Sequence, residues 1–306
     1  MSGALQELIT ILLQVLGPIV LLAGAGFLLR RRLDISPRAI SRIVYYILTP
    51  SLVYTSLLTL PFDPNITSRS LLFAAIHMLV MGSLAWWLTR KWGYSGGLAS
   101  AFVITTILLN NGNYGLPLNL FAFGETGLAY ALVLFMFNTV FGGATSIYLA
   151  IKGQEDGMTA IRRTLKQPII AAILLAAMSR LTHVAPTGSL MDMLQMTGQA
   201  AIPVFLIVLG MSLAKTDVMA NLRDVLRLTT LRMIISPLVA LLLATVVGLS
   251  GVAYSVSVMQ ASMPTAVNSI VITNEFETAP EFTAEVVLMT TLVSLVTLPI
   301  LLFFLR

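Results

Sequence analysis

The sequence predicts an all-α membrane protein that crosses the bilayer ten times, as two inverted five-helix repeats. Three observations predict it. Apolar composition runs the whole length of the chain, basic residues alternate between the loops, and two apolar segments carry matched interruptions. Of the 306 residues 57% are hydrophobic and 10% charged, and the mean hydropathy is +0.92. A soluble domain is about a quarter charged, so an ordinary soluble enzyme with one anchor is excluded. A membrane helix takes about 20 residues, so ten of them fill this length and leave no room for a separate soluble domain. With no cysteine there is no disulfide framework, Cys metal site or Cys nucleophile.

The ten segments are read at residues 5–29, 39–58, 70–89, 97–123, 126–151, 167–181, 190–214, 226–249, 252–273 and 282–305. The first follows MSGALQE, which has no Lys or Arg. A cleaved signal peptide carries a basic start, so this segment is expected to be a retained helix. The run Leu22-Ala23-Gly24-Ala25-Gly26 and the 15 methionines read as helix packing.

Basic residues orient the chain. With the N-terminus outside, the inward loops hold Arg30–Arg32, Arg38 and Arg42; Arg90 and Lys91; Lys152, Arg162, Arg163 and Lys166; and Lys215, Arg223, Arg227 and Arg232. Of the 18 Lys and Arg, only Arg69, Arg180 and Arg306 fall outside. That is the positive-inside bias, and it places both termini outside. The +5 net charge therefore reads as orientation, with no nucleic-acid partner expected. Residues 158–166 read either as a short basic helix on the inner surface or as a solvated linker.

Ten spans divide as five and five, and an odd number per half inverts the second half. The expected division is a first repeat at 1–151, a cytoplasmic connector at 152–166 and a second repeat at 167–306. Pro50 and Pro203, Phe123 and Phe276, Ala131 and Ala284, Val133 and Val286, and Met136 and Met289 match at one constant offset. These identities arise either from such a repeat or by chance among apolar residues; inverted repeats are typical of secondary transporters.

The first interruption is Asn110-Asn111-Gly112-Asn113-Tyr114-Gly115-Leu116-Pro117, inside the fourth segment. Three Asn, two Gly and a Pro are poor helix material, and opened backbone at membrane depth is tolerated only in protein or a watery cavity. Two half-helices are expected, with Pro117 in the first turn of the second. The second interruption, Ser262-Met263-Pro264-Thr265-Ala266-Val267-Asn268-Ser269, lies in the ninth segment. The two breaks would cross near the midplane, or else each is a packing kink between close helices.

At such a crossing the second half-helices aim free N–H groups at one place, which favours an anion. Asn110, Asn111, Asn113, Thr265 and Asn268 add neutral hydrogen bonds for a carboxylate. The first half-helices bring carbonyl ends to the same place, suited to a cation. The expected substrate-binding set is Asn110, Asn111, Gly112, Asn113, Gly115, Pro117, Pro264, Thr265 and Asn268.

None of the 13 acidic residues reads as mid-membrane. Asp34, Glu155, Asp156, Asp217 and Asp224 fall in inward loops, Glu275, Glu277, Glu281 and Glu285 near an inward edge, and Glu7, Asp63, Glu125 and Asp192 near outer edges. Membrane carboxylates carry protons or sodium in many coupled carriers, so a sodium/proton antiporter is disfavoured. His77 is read as the one titrating group at membrane depth, with two readings: a neutral His bonded to a neighbouring helix, or a proton-coupling residue. His77 and His183 lie on different segments, so no metal site is expected. Neither a His-Glu-x-x-His, a Gly-x-Ser-x-Gly nor a Walker A motif occurs, so no enzyme activity and no cofactor are expected.

The Asn-x-Gly-Asn-x-Gly-x-Pro stretch at 110–117, followed by Phe123-Gly124-Glu125, resembles the auxin efflux carrier family. Pro264-Thr265-Ala266-Val267-Asn268 is similar to its bacterial branch, and the resemblance spans nearly the whole chain. It implies an architecture like that of the sodium/proton antiporters and bile acid symporters, without the acidic sodium ligands of the latter. It further implies an elevator mechanism, with a scaffold of spans 1, 2, 6 and 7 that also forms a homodimer, and a transport domain of spans 3–5 and 8–10. The short connector suits a prokaryotic member in the inner membrane. The expected function is secondary active or facilitative transport, in the efflux direction, of a small organic anion. The alternatives are an anion channel and a sodium- or proton-coupled organic acid symporter.

Overall fold

A computed structural model describes residues 3–33, 35–60, 62–151, 157–214 and 222–306. Asp34, Lys152, Glu155, Asp156, Lys215 and Asp217, read above as inward-loop charges, lie outside the described residues. Among the described residues the chain is almost wholly helical, with a single backbone bridge and no named strand. The helices are α1 (residues 3–33), α2 (37–59), α3 (Pro64–Lys91), α4 (Gly96–Ile107), α5 (Asn111–Ala150) and α6 (Gly157–Leu165). They continue with α7 (Pro168–Thr182), α8 (Ser189–Leu213), α9 (Leu222–Val246), α10 (Gly251–Ala261), α11 (Asn268–Glu275) and α12 (Pro280–Leu305).

Local chemistry sets several helix ends. Asp63 Oδ1 accepts from the N–H groups of Asn65 (2.8 Å) and Ile66 (3.1 Å), and Pro64 opens α3 where a missing N–H costs nothing. A straight helix the length of α5, 40 residues, would run about 60 Å, twice the ~30 Å hydrocarbon core. It does not run straight: Gly124, at φ 65° and ψ −157°, turns it into arms of 111–123 and 125–150. Only glycine occupies that backbone region at little cost.

Six helices among the described residues are long and apolar enough to cross a bilayer, or seven if the pair bent by 62° between α6 and α7 counts as one span. Against the ten segments, the fourth and ninth are cut at their interruptions, so α4, α10 and α11 have 12, 11 and 8 residues; the fifth is continuous with the first arm of α5, α7 alone has 15 residues, and α2 is not among the six. Many large apolar side chains face outward, among them Leu13, Leu21, Leu79, Leu174, Leu242 and Phe304, while Thr105, Asn111, Asn119, Ser257, Gln260 and Thr290 are buried. That is the reverse of a water-soluble protein and suits a lipid surround.

The three basic residues read as outward each hold a helix end. Arg69 donates to Gly248 O (2.7 Å), Arg180 to Leu60 O (3.3 Å) and Arg306 to Ala122 O (2.9 Å). C-terminal carbonyls lack intrahelical partners and the helix dipole favours a cation there. At the opposite end Tyr94 donates to Asp224, and Arg227 bonds both Tyr94 Oη (2.9 Å) and Asp224 Oδ1 (3.1 Å) while lying over the Trp92 ring. Burial, with help from the Asp224 carboxylate, raises the Tyr94 phenol above its ordinary pKa. The 158–166 stretch forms helix α6 rather than an open linker. Its buried Ala160 packs in a cluster with Ile104, Ala150 and Phe276, and Arg163 pairs with Glu275 at 2.5 Å.

Small residues set the closest helix contact. α1 packs along α8, with Gly26 against the Ile207 backbone and Gly210 against the Ala23 backbone. A Cβ on Gly210 would fall 1.7 Å from Ala23 O, and one on Gly26 2.0 Å from Ile207 O. We predict that Gly210→Ala separates α1 from α8 and costs about 1–3 kcal/mol, lowering the melting temperature of purified protein in detergent. Gly24→Ala, where a Cβ meets nothing within 4 Å, is the matched control and should melt at or above wild type.

Candidate functional site

The two interruptions meet in space. After α4 the chain opens at Leu108–Asn110, and after α10 it opens at 262–267. There Leu109 lies antiparallel to Thr265 as an isolated bridge. Asn110 N–H donates to Pro264 O (2.9 Å) and Ala266 N–H to Leu108 O (3.0 Å). Thr265 Oγ1 donates to Thr105 O (2.9 Å), and Thr290 Oγ1 accepts from Thr265 N–H (3.2 Å). Each opened strand thus uses the other to satisfy backbone that lipid would leave bare. The first arm of α5 and helix α11 both begin beside this crossing; in α11 the first-turn N–H groups of Ser269 and Ile270 are taken by Ala266 O (3.1 Å) and Val267 O (3.0 Å).

Side chains that the sequence did not place at the crossing finish the job. Asn138, on the second arm of α5, accepts from Leu109 N–H (3.1 Å) and donates to Ile107 O (2.8 Å). Gln260 Nε2 donates to Ala131 O (3.1 Å) and reaches Asn111 O (3.5 Å). Arg232 donates to Ser236 Oγ (3.0 Å), Ala261 O (3.3 Å) and Met263 O. Ser236 Oγ in turn donates to Ala261 O (2.8 Å). The one signal for Gln260 in the sequence was a lone polar residue inside an apolar run, while Arg232 stood near the edge of one.

Arg232 is the main correction. It was assigned to an inward loop, yet it sits within α9 with 0% of its surface exposed. His77 is therefore not the one basic group at depth. Its Nε2 lies 3.1 Å from Ser236 Oγ, and its ring stacks on Phe73. Since the Ser236 hydrogen goes to Ala261 O, His77 Nε2 is the donor in that pair. The carbonyl ends read as open to a cation are likewise already engaged, by Asn138, Thr265, Ser236 and Arg232.

The expected residues separate into two groups. Asn110, Asn111, Gly112, Gly115, Pro117, Pro264 and Thr265 are buried at or beside the crossing. Asn113 is half-buried and Asn268 exposed. Pro117 stands in the first turn of the regular α-helix that opens at Leu116, as expected, directly after a π-helical lead-in. The widened turns of Asn111–Gly115, π-helical in form, accommodate it, and Asn119 Nδ2 takes up Gly115 O (2.8 Å). Gly112 backs onto the Phe135 ring, where a Cβ would fall 2.8 Å away. Asn110 Nδ2, Asn111 Oδ1, Ser257 Oγ and Gln260 Oε1 are buried without a hydrogen-bond partner. Asn111, Ser257 and Gln260 line a small cavity with His77 and Asn138, about 20 Å³ in volume, room for roughly one water.

A larger crevice of ≈ 540 Å³ lies between the first arm of α5 and helices α1, α2 and α8. Thr55, Ser56, Glu125, Gln195 and Gln199 give it a polar lining. It meets the arm at Leu120 and Phe121, about 15 Å from the crossing by helical rise.

With this geometry in place, comparison with known proteins gives a consistent picture. The profile of a family described as membrane transport protein matches residues 10–302. An uncharacterized transporter of Methanothermobacter thermautotrophicus is 28% identical over 264 residues, covering 85% of this chain and 86% of that protein. Another, from Methanocaldococcus jannaschii, is 24% identical over 276 residues, covering 84% and 86%.

Gly115 and Gln260 give the crossing a sharp test. A Cβ on Gly115 would fall 2.1 Å from Gln260 Oε1, so Gly115→Ala must push Gln260 off Asn111 and Ala131. We predict that Gly115→Ala and Gln260→Ala each destabilise by about 1–3 kcal/mol. The double variant should cost clearly less than their sum, read as melting temperatures in one detergent.

Proposed function

The chain belongs to the membrane transport protein family, that of the auxin efflux carriers, and on that premise we propose that it carries a small organic anion across the cytoplasmic membrane. The observation that supports the anion is the crossing itself. Two half-helices begin there, and Asn110 Nδ2 is buried with no partner, while Asn113 and Asn268 are open to a ligand. N–H groups and amides hold a carboxylate without a counter-ion of their own. The substrate-binding set is Asn110, Asn111, Asn113 and Asn268, with Gly112, Gly115, Pro117, Pro264 and Thr265 shaping the backbone around it.

The proposed architecture is ten crossings in two inverted repeats. α1, α2, α3, α7, α8, α9 and α12 each cross once. α4 with the first arm of α5, the second arm of α5, and α10 with α11 supply the other three. The scaffold is α1, α2, α7 and α8, a grouping supported by the packing of α1 on α8 and of α2 on both α7 and α8. The remaining spans form the moving domain, supported by the packing of α3 on α4, α5 and α9 and of α10 on α5. The crevice between the groups is of ligand-pocket size and gives the elevator a route to its outer side. Both termini lie outside, and two copies pair through the scaffold.

Energetics favour export. One charge moved across 100 mV is worth about 2.3 kcal/mol, so a monoanion leaving a negative interior would accumulate outside about fifty-fold with no coupling ion.

Proteoliposomes with an imposed potassium-diffusion potential test this reading against mono- and dicarboxylates. The expected result is saturable flux that follows the potential and shows counter-transport. Unitary currents would instead identify a channel, and no flux of any carboxylate would end the proposal. Asn113→Ala and Asn268→Ala should each weaken substrate binding about tenfold, measured by ligand-induced thermal shift, with little change in the unliganded melting temperature. Wild-type binding by both variants would remove the site from the crossing.

A further inference from the structure

Arg232 heads the largest fully buried side chains among the described residues, and its position asks for an explanation. A cation at membrane depth is costly unless paired or hydrogen-bonded. No carboxylate forms an ion pair with Arg232 among the described residues. Its compensation comes from dipoles. The guanidinium is bonded to Ala261 O and Met263 O, at the carbonyl end of α10, and to Ser236 Oγ. That end carries the negative pole of a half-helix.

In carriers with broken helices, the unwound carbonyls and the C-terminal ends of half-helices coordinate the coupling cation. Here a side chain of the protein fills that place. We propose that Arg232 is a resident cation, covalently supplied at the second break, which takes the position a coupling sodium would otherwise occupy. The proposal rests on the carrier reading for its meaning in transport. It assigns Arg232 a positioning role, through the backbone of the 262–267 strand, and not a contact with substrate. It also gives His77 a place: the ring donates to Ser236 Oγ, an atom the guanidinium shares, and so helps hold the fork on its carbonyls.

The chemistry left by removing the guanidinium is specific. Arg232→Gln exposes two backbone carbonyls and a hydroxyl around a buried hole. That is an oxygen donor set at the negative end of a helix, suited to a small hard cation. The variant should therefore gain what the wild type lacks, a stabilising response to sodium.

The measurement is the melting temperature of purified full-length protein in detergent, with sodium chloride titrated against choline chloride at constant ionic strength. Wild type and Arg232→Lys should give superimposable curves in the two salts. Arg232→Gln should melt lower in choline and recover by several degrees in sodium. A sodium-specific stabilisation of the wild type would overturn the proposal, as would a monodisperse Arg232→Gln that ignores sodium. Should Arg232→Gln not fold, Ser236→Ala keeps the guanidinium and removes one partner. It should remain indifferent to sodium, and a sodium response there also overturns the assignment. No organic anion enters this readout. A wild type without carboxylate flux in proteoliposomes would defeat the carrier reading alone, whereas strictly sodium-driven uptake would defeat the resident cation and leave the carrier.

Discussion

Backbone that opens at membrane depth must find partners inside the protein, and the rest of this structure follows from how it does so. Lipid offers no hydrogen bond, and each bare amide costs several kcal/mol. The strand after α4 and the strand after α10 answer by pairing with each other, through Asn110 N–H to Pro264 O and Ala266 N–H to Leu108 O. A single bridge cannot serve every group the two breaks release. Asn138, Thr265, Ser236 and Arg232 take further ones, each from a different stretch of chain than the group it serves, and Gln260 ties Asn111 O to Ala131 O. The crossing is thus a joint between the two halves of the molecule.

Packing around that joint uses two kinds of surface. Where α1 meets α8, glycine lets backbone touch backbone at Gly26 and Gly210. Between helices in lipid no hydrophobic drive favours association, so close van der Waals approach carries more of the load. Around the crossing the surface is instead polar and specific. Gly115 is there to admit the Gln260 amide, and a Cβ would collide with it.

The charges follow the same logic. Arg69, Arg180 and Arg306 each finish a helix end at one side of the protein, and Arg227 stacks on Trp92 at the other. Arg232 finishes a helix end too, in the interior. One rule, that a cation suits a C-terminal carbonyl end, accounts for all but the stacked one. It distinguishes Arg232 only by depth, and depth turns a common cap into a fixed charge beside the crossing.

By itself the sequence determined the class, the helical content and where the breaks fall. Sustained hydropathy, and Asn, Gly and Pro clustered inside apolar runs, are local signals that survive without coordinates. It also led to Asn110, Asn111, Pro264 and Thr265, since residues that break a helix at depth are the ones left with groups to satisfy. Only the tertiary structure decided that the two breaks touch and what completes them. Asn138 lies 29 residues from its partner Leu109, and Arg232 lies 29 residues from Ala261. No periodicity encodes such a pairing. Arg232 was misread for the same reason. At the edge of an apolar segment an arginine looks like a loop charge until packing shows which carbonyls it faces, because hydropathy records what a residue is and not which atoms surround it.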